Sequence, residues 1–204
     1  MRAVVYCAER SSGVAIKTLP RPIFNKSNNN QVLCKVSYGG LNPVDAKGLA
    51  GDKLPSFLHG LWHSYLNNHV CGIDFSGVVV ETSTQSKYTV GDRICGNVPV
   101  TQGSFAEYIV VPESTICRIP ANVTDEQAAA IPLVGLTIEQ AFSELPFELS
   151  PYRHVLIIGG SGGTGHLAVQ YCRMRGAKVT AVSINIVLYV FMNFIITAYM
   201  YTLV

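Results

Sequence analysis

Gly160, Gly162 and Gly165 are spaced two and three residues apart in the run Gly160-Ser161-Gly162-Gly163-Thr164-Gly165. The apolar run Val155–Ile158 before it reads as a buried strand, and Gly165–Arg175 after it reads as a helix ended by Gly176. A strand that turns on glycines directly into a helix aims unpaired N–H groups and the positive end of the helix dipole at one point. That arrangement binds phosphate and, in a strand–helix–strand unit, the pyrophosphate of a dinucleotide. On this reading Gly160 permits the tight turn, Gly162 lets the backbone approach the pyrophosphate, and Gly165 lets helix and strand pack closely. Ser161, Gly163 and Thr164 complete the cradle. Lys178–Val182 is the next strand and delivers Ser183 to the place where a ribose is met. A carboxylate there selects an unphosphorylated ribose, but no acid follows Glu148. Its absence favours a 2′-phosphate and therefore NADP(H), although no Arg or Lys stands at that place either.

Other chemistry-bearing residues are dispersed. The cysteines Cys7, Cys34, Cys71, Cys95, Cys117 and Cys172 contain no C-x-x-C pair and read as reduced thiols. His59, His63, His69 and Cys71 fit no established metal spacing, and a solvated surface is the plainer reading. No Ser/His/Asp or Cys/His arrangement for nucleophilic catalysis emerges. The sequons at Asn25 and Asn122 are expected to stay unmodified, because the N-terminal stretch lacks a secretory apolar run.

The elements that must position these residues change character along the chain. Ala3–Tyr6, Gln31–Tyr38, Ser76–Glu81, Arg93–Gly96 and Ala106–Val111 read as short strands. Gly39-Gly40, Asn42-Pro43, Gly91-Asp92 and Gln102-Gly103 separate them, which suits a barrel or sandwich. His59–Asn68 interrupts the pattern as an irregular or helical excursion. Thr124 followed by Asp125, Glu126 and Gln127 marks a helix start, and Ile138–Leu145 continues helical after Pro132. The expected division is residues 1–122 as a β domain, 123–150 as a helical linker and 151–183 as a partial nucleotide-binding unit. Residues 184–204 form an apolar tail.

Charge follows the same division. All thirteen acids and eleven of the fifteen Lys/Arg lie in residues 1–148, and nothing after Lys178 is charged. Charged residues make up 14% and apolar ones 49%, which excludes a disordered chain. A net charge of +2 without a Lys/Arg stripe argues against nucleic acid as a partner.

Taken together, these segments resemble the medium-chain dehydrogenase/reductase superfamily in its zinc-independent quinone oxidoreductase-like branch. The resemblance rests on Gly40-Leu41-Asn42-Pro43-Val44-Asp45, Gly72-Ile73-Asp74-Phe75-Ser76-Gly77-Val78, Val90-Gly91-Asp92-Arg93-Ile94 and Gly103-Ser104-Phe105-Ala106-Glu107-Tyr108. Ala128-Ala129-Ala130-Ile131-Pro132, Thr137 and the stretch Val155–Val182 extend it, in order, to about residue 183. It implies a fold that is α/β plus β: a GroES-like barrel, then an incomplete Rossmann (βαβ) domain, with the cofactor in the cleft between them. It implies Asn42 near the nicotinamide ribose and Thr137 near the nicotinamide ring as catalytic residues, with Asp45 supporting the loop that carries Asn42. Asp74 reads as a barrel-structural acid, and Glu107 and Tyr108 as barrel packing.

Where the zinc-dependent branch has Cys, this chain has Asn42, and its His-Glu pair corresponds to Ile73 and Asp74. No zinc is expected, since an amide and an isoleucine cannot supply thiolate and imidazole. The implied activity is NADPH-dependent reduction of quinones or α,β-unsaturated carbonyls, with a small-molecule carbonyl or quinone as partner and a homo-oligomer as a candidate assembly. The expected location is cytoplasmic, with a mitochondrial one or membrane anchoring through the C-terminal tail as alternatives. The alternative is a truncated, catalytically inactive binding or interaction module.

The resemblance stops near Ser183. The remaining 21 residues, 184–204, hold no charge, Gly or Pro. Three readings stand open: a read-through or alternative-exon tail, a membrane anchor flanked by Arg173, Arg175 and Lys178, or extra soluble core.

Overall fold

The computed structural model describes residues 1–7, 13–27, 30–50 and 59–183. All three readings of the tail therefore lie outside the described residues. So does the histidine–cysteine metal reading, which depends on the side chains of His59 and His63. Among the described residues, no helix is long and apolar enough to cross a membrane. The chain divides into two compact units, Met1–Leu133 and Val134–Val204.

The first unit is built on an antiparallel sheet in the order β6-β3-β4-β5-β7. Its strands are β3 (Gln31–Gly40), β4 (Asp74–Thr82), β5 (Arg93–Asn97), β6 (Tyr108–Pro112) and β7 (Ile116–Arg118). A hairpin of β1 (Arg2–Tyr6) and β2 (Val14–Thr18) adds to it. Backbone bonds from Val4 N–H to the Phe105 carbonyl (2.8 Å) and from Tyr6 N–H to the His69 carbonyl (2.9 Å) tie β1 to the segments before β4 and β6. The core between them includes Val5, Val32, Cys34, Phe75, Val79, Ile94 and Val111. Residues 71–77 are buried without interruption, because β4 is the central strand and the chain enters it from beneath the hairpin. Such continuous burial removes the alternation that usually distinguishes a half-buried strand.

Among the described residues this unit also holds three α-helices: α1 (Pro43–Ala50), α2 (His59–Leu66) and α3 (Asp125–Ala129). The sequence reading took Asn42-Pro43 as a turn, whereas it starts α1. Pro suits a first helical position, and the Asp45 carboxylate accepts the Asn42 backbone N–H at 2.8 Å in the manner of half a capping box. Thr124 does cap α3, with a reciprocal Thr124–Gln127 capping box.

The second unit holds most of α4 (Pro132–Ser143), then β8 (His154–Ile158), α5 (Gly163–Met174) and β9 (Lys178–Val182). β8 and β9 pair in parallel, and α5 is the crossover between them. Parallel neighbours require such a crossover. Ile138, Ile157, Ala168, Val169, Cys172 and Ala181 form its core. Gly176, at φ +86°, ends α5 as expected. The expectation of a fully buried β8 is corrected: Ile157 points inward, but Leu156 and Ile158 are 61% and 80% exposed. Only one face of this two-stranded sheet is covered by the described helices, whereas parallel sheets ordinarily bury both.

Candidate functional site

In the first unit the buried Asp74 carboxylate organises the end of the sheet. It is 1% exposed and carries no salt bridge among the described residues. Its acceptor capacity is instead filled by neutral donors. Asn42 Nδ2 donates to Oδ2 at 2.9 Å, Asn97 Nδ2 to Oδ1 at 2.8 Å, and the Leu133 backbone N–H to both oxygens at 3.1 Å. The Ser104 hydroxyl donates to the Asp74 carbonyl at 3.0 Å. A buried charge is tolerated when it is hydrogen-bonded in this way, each such bond contributing about 1.5–3 kcal/mol. Asp74 is thus the structural acid expected, and it also fixes the orientation of Asn42.

The second Asn42 amide hydrogen faces the Gly40 carbonyl at 3.4 Å. With both amide hydrogens committed to protein, the Asn42 carbonyl oxygen is the atom left to accept a bond from a ligand hydroxyl. Asp45 holds the same residue from the other side through the Asn42 N–H, the supporting role anticipated for it. Burial raises the Asp45 carboxyl above its ordinary range, against the lowering effect of the Asn42 N–H. Its Oδ1 is buried without a hydrogen-bond partner. Nearby, burial pushes the Tyr6 phenol up to about 12, so it stays protonated.

What brings Leu133 to Asp74 is a close approach of α3 to the end of β3. A Cβ on Gly40 would lie 2.2 Å from the Ala129 carbonyl oxygen, so only glycine fits. The sequence reading treated Gly40 as a strand breaker and missed this packing role.

In the second unit the glycine turn has the geometry of a phosphate cradle. Gly159 and Gly160 N–H both donate to the Val182 carbonyl at 2.9 Å, locking the turn onto β9. The left-handed residue that makes the turn is Gly159, at φ +81°, and not Gly160. Gly160 instead packs against β9, since a Cβ there would meet Ala181 Cβ at 2.8 Å. Gly165 is sterically fixed as expected: its Cβ would lie 2.1 Å from the Gly159 carbonyl oxygen. Gly162 is less constrained, although an added Cβ would still press on the Gly159 carbonyl oxygen at 3.3 Å.

Ser161, Gly162, Gly163 and Thr164 are all exposed. Gly162 is the N-cap of α5 and offers no side-chain acceptor, so the first-turn N–H groups of Gly163, Thr164 and Gly165 face outward. Ser183 follows β9 and its hydroxyl bonds that of Ser161, placing both at one edge of the cradle. Thr137 lies exposed on α4, one residue before the buried Ile138. These features fit a pyrophosphate-bearing nucleotide: an anion would find space, free donors and a helix dipole.

Glu107 is not barrel packing. It forms an exposed ion pair with Arg2 at 3.2 Å, while Tyr108 lies under the Arg21 guanidinium, 4.4 Å from its ring centre. Among the described residues, no group of three His, Cys, Asp or Glu could hold a metal ion.

Comparison with known proteins respects the same division. Residues 28–121 match the family described as alcohol dehydrogenase GroES-like domain. The mitochondrial NAD(P)H oxidoreductase RTN4IP1 of Danio rerio is 33% identical over 164 residues, covering 74% of this chain and 42% of that protein. The 2-methylene-furan-3-one reductase of Solanum lycopersicum is 32% identical over 170 residues, covering 76% of this chain and 40% of that one. The quinone oxidoreductase structure from Coxiella burnetii superposes with TM-score 0.74 at 30% identity, covering 90% of this chain and 56% of that one. A Thermus thermophilus quinone oxidoreductase, solved also in complex with NADPH, gives TM-score 0.69 at 28% identity, covering 90% and 53%. The chain therefore spans about half the length of the proteins it matches. Its GroES-like domain, the partial Rossmann-like sheet and these relatives together make the chain similar to the quinone and NAD(P)H oxidoreductases of the medium-chain dehydrogenase/reductase superfamily.

Proposed function

We propose that this chain supplies the GroES-like domain and the first nucleotide-binding unit of a zinc-independent oxidoreductase that uses NADPH to reduce quinones or α,β-unsaturated carbonyls. The observation that carries the reading is the turn from β8 into α5, where the exposed Gly162 precedes first-turn N–H groups that have no side-chain cap. Gly162, Gly163, Thr164 and Gly165 would hold the pyrophosphate through these groups. Ser161 and Ser183 present hydroxyls where an acid would repel a 2′-phosphate. Asn42, oriented by Asp74, offers its carbonyl oxygen to a ribose hydroxyl, and Thr137 serves beside the nicotinamide. When bound, the cofactor supplies the hydride, so the protein needs no acidic catalyst beyond groups that orient and exclude water. The names of the reductase relatives support the acceptor class, and that of the mitochondrial relative supports the mitochondrial alternative for its location.

The test is titration of the purified chain with NADPH and with NADH, read by nicotinamide fluorescence. Saturable binding that favours NADPH upholds the reading, and turnover of a quinone panel is then expected. Absence of binding up to millimolar cofactor overturns it for this chain. That result would favour a non-catalytic interaction module, a role for which the exposed Leu156 and Ile158 are suited.

A further inference from the structure

Cys95 and Cys117 stand directly opposite each other on the paired strands β5 and β7. Their Sγ atoms are 3.6 Å apart. Opposed residues on antiparallel strands hold their Cβ atoms about 4.5–5.5 Å apart, and a disulfide needs about 3.5–4.5 Å. Side-chain rotation with a slight closing of the strands covers that difference. All six cysteines are free thiols, but this pair is set apart from the others. Cys117 is exposed on the edge strand β7, whereas Cys95 lies beneath it, packed with Ile119 and Ala128.

This is the arrangement of an accessible attacking thiol with a resolving thiol behind it. The hydrogen bond with Cys95 lowers the Cys117 thiol below its ordinary value, against the raising effect of burial. The remaining thiols are buried, and burial pushes those of Cys34 and Cys71 up to about 12.

We propose that Cys95 and Cys117 form a redox-modification site, oxidised by hydrogen peroxide to a disulfide that joins β5 to β7. The Cys117 thiolate attacks one peroxide oxygen; the O–O bond breaks, an S–O bond forms, and the other oxygen leaves as water after taking a proton. The Cys95 thiol then loses its proton and attacks the Cys117 sulfur. An S–S bond forms as the S–O bond breaks, and the departing hydroxide takes that proton to leave as a second water. Two thiols are oxidised by two electrons, and one peroxide is reduced to two waters. The site is independent of nucleotide binding.

Arg93 and Arg118 bracket the pair, so trypsin releases both cysteines in one peptide, Ile94–Arg118. The folded chain is exposed to hydrogen peroxide, alkylated with iodoacetamide, digested and weighed. The expected peptide carries no alkyl group and is two hydrogens lighter than the reduced form. It is restored by dithiothreitol, and it forms at least about tenfold faster than Cys34 or Cys71 is oxidised. In C95S, the Cys117 sulfenic acid should accumulate and react with dimedone; in C117S, Cys95 should stay unmodified. A wild-type peptide that still carries two alkyl groups after the dose overturns the proposal. So does a bridge from Cys117 to any other cysteine. Both readings come from the unmutated chain and hold even if a variant fails to fold.

Discussion

Asp74 and Asp45 lie on either side of Asn42, and their environments divide the work between them. Asp74 is filled with donors, so truncating it would remove the acceptor from the Asn97 amide and from one Asn42 amide hydrogen, and would break the Leu133 N–H bonds to the carboxylate. Asp74→Ala is expected to lose about 3–5 kcal/mol in urea unfolding, the range for breaking a buried charged network. A loss below about 1 kcal/mol would mean that water replaces the carboxylate without difficulty. Asp45 contributes in a way that depends on pH. Its raised pKa means that the folded chain holds the proton more tightly than the unfolded one. Its contribution is therefore complete below the unfolded value, about 3.9, and is lost as pH rises through the folded value. Asp45→Asn removes that loss, so relative to wild type it should gain stability between about pH 4 and pH 7. An equal difference at both pH values would contradict the burial argument.

At the scale of elements, two glycines act by what they let approach. Gly40 admits the Ala129 carbonyl, and through it the seat of α3 and Leu133. Gly40→Ala is expected to cost about 1–3 kcal/mol by overpacking. Because the shift displaces the Leu133 N–H from Asp74, its amide should also exchange faster with solvent, which hydrogen exchange would show. Gly162 differs, since its backbone at φ −74° suits any residue and an added Cβ would meet only the Gly159 carbonyl oxygen, at 3.3 Å. Gly162→Val should cost about 1–3 kcal/mol in thermal unfolding, since the Gly159 carbonyl must give way. It should also abolish nucleotide binding, because the side chain would stand where the backbone meets the phosphate. Unchanged NADPH affinity in a folded variant would remove the cradle from this turn.

For the whole molecule, the division after Leu133 separates two cores. Phe75, Val79, Ile94 and their neighbours lie entirely in the first unit, as do Asp74 and all its donors. A fragment ending at Leu133 is therefore expected to fold alone with one cooperative thermal transition, measured by circular dichroism. A fragment that lacks dispersed amide signals in NMR would show that the barrel depends on the second unit. The second unit exposes two apolar side chains of β8. With Leu156 and Ile158 solvent-facing, the intact chain should bind a hydrophobic dye more strongly than the fragment does.

Whatever depends on near neighbours was legible in the amino-acid order alone. The turn from β8 into α5, the capped start of α3 and the end of α5 at Gly176 are local events, set by glycine, Thr124 and apolar runs within a few residues. The half capping box at Asn42-Pro43-Val44-Asp45 was equally local, a helix start written in the sequence but obscured by its resemblance to a turn. Contacts that need distant strands to meet came only with the assembled fold. Asp74 finds Asn42 across 32 residues and Leu133 across 59, and Cys95 finds Cys117 across 22. No local pattern encodes these contacts, because the register of β4 against β5 and of β5 against β7 is fixed by the shared core rather than by any one strand. The packing need at Gly40 is likewise invisible until α3 is docked, for a glycine in a strand shows its reason only through the atom that comes to lie against it.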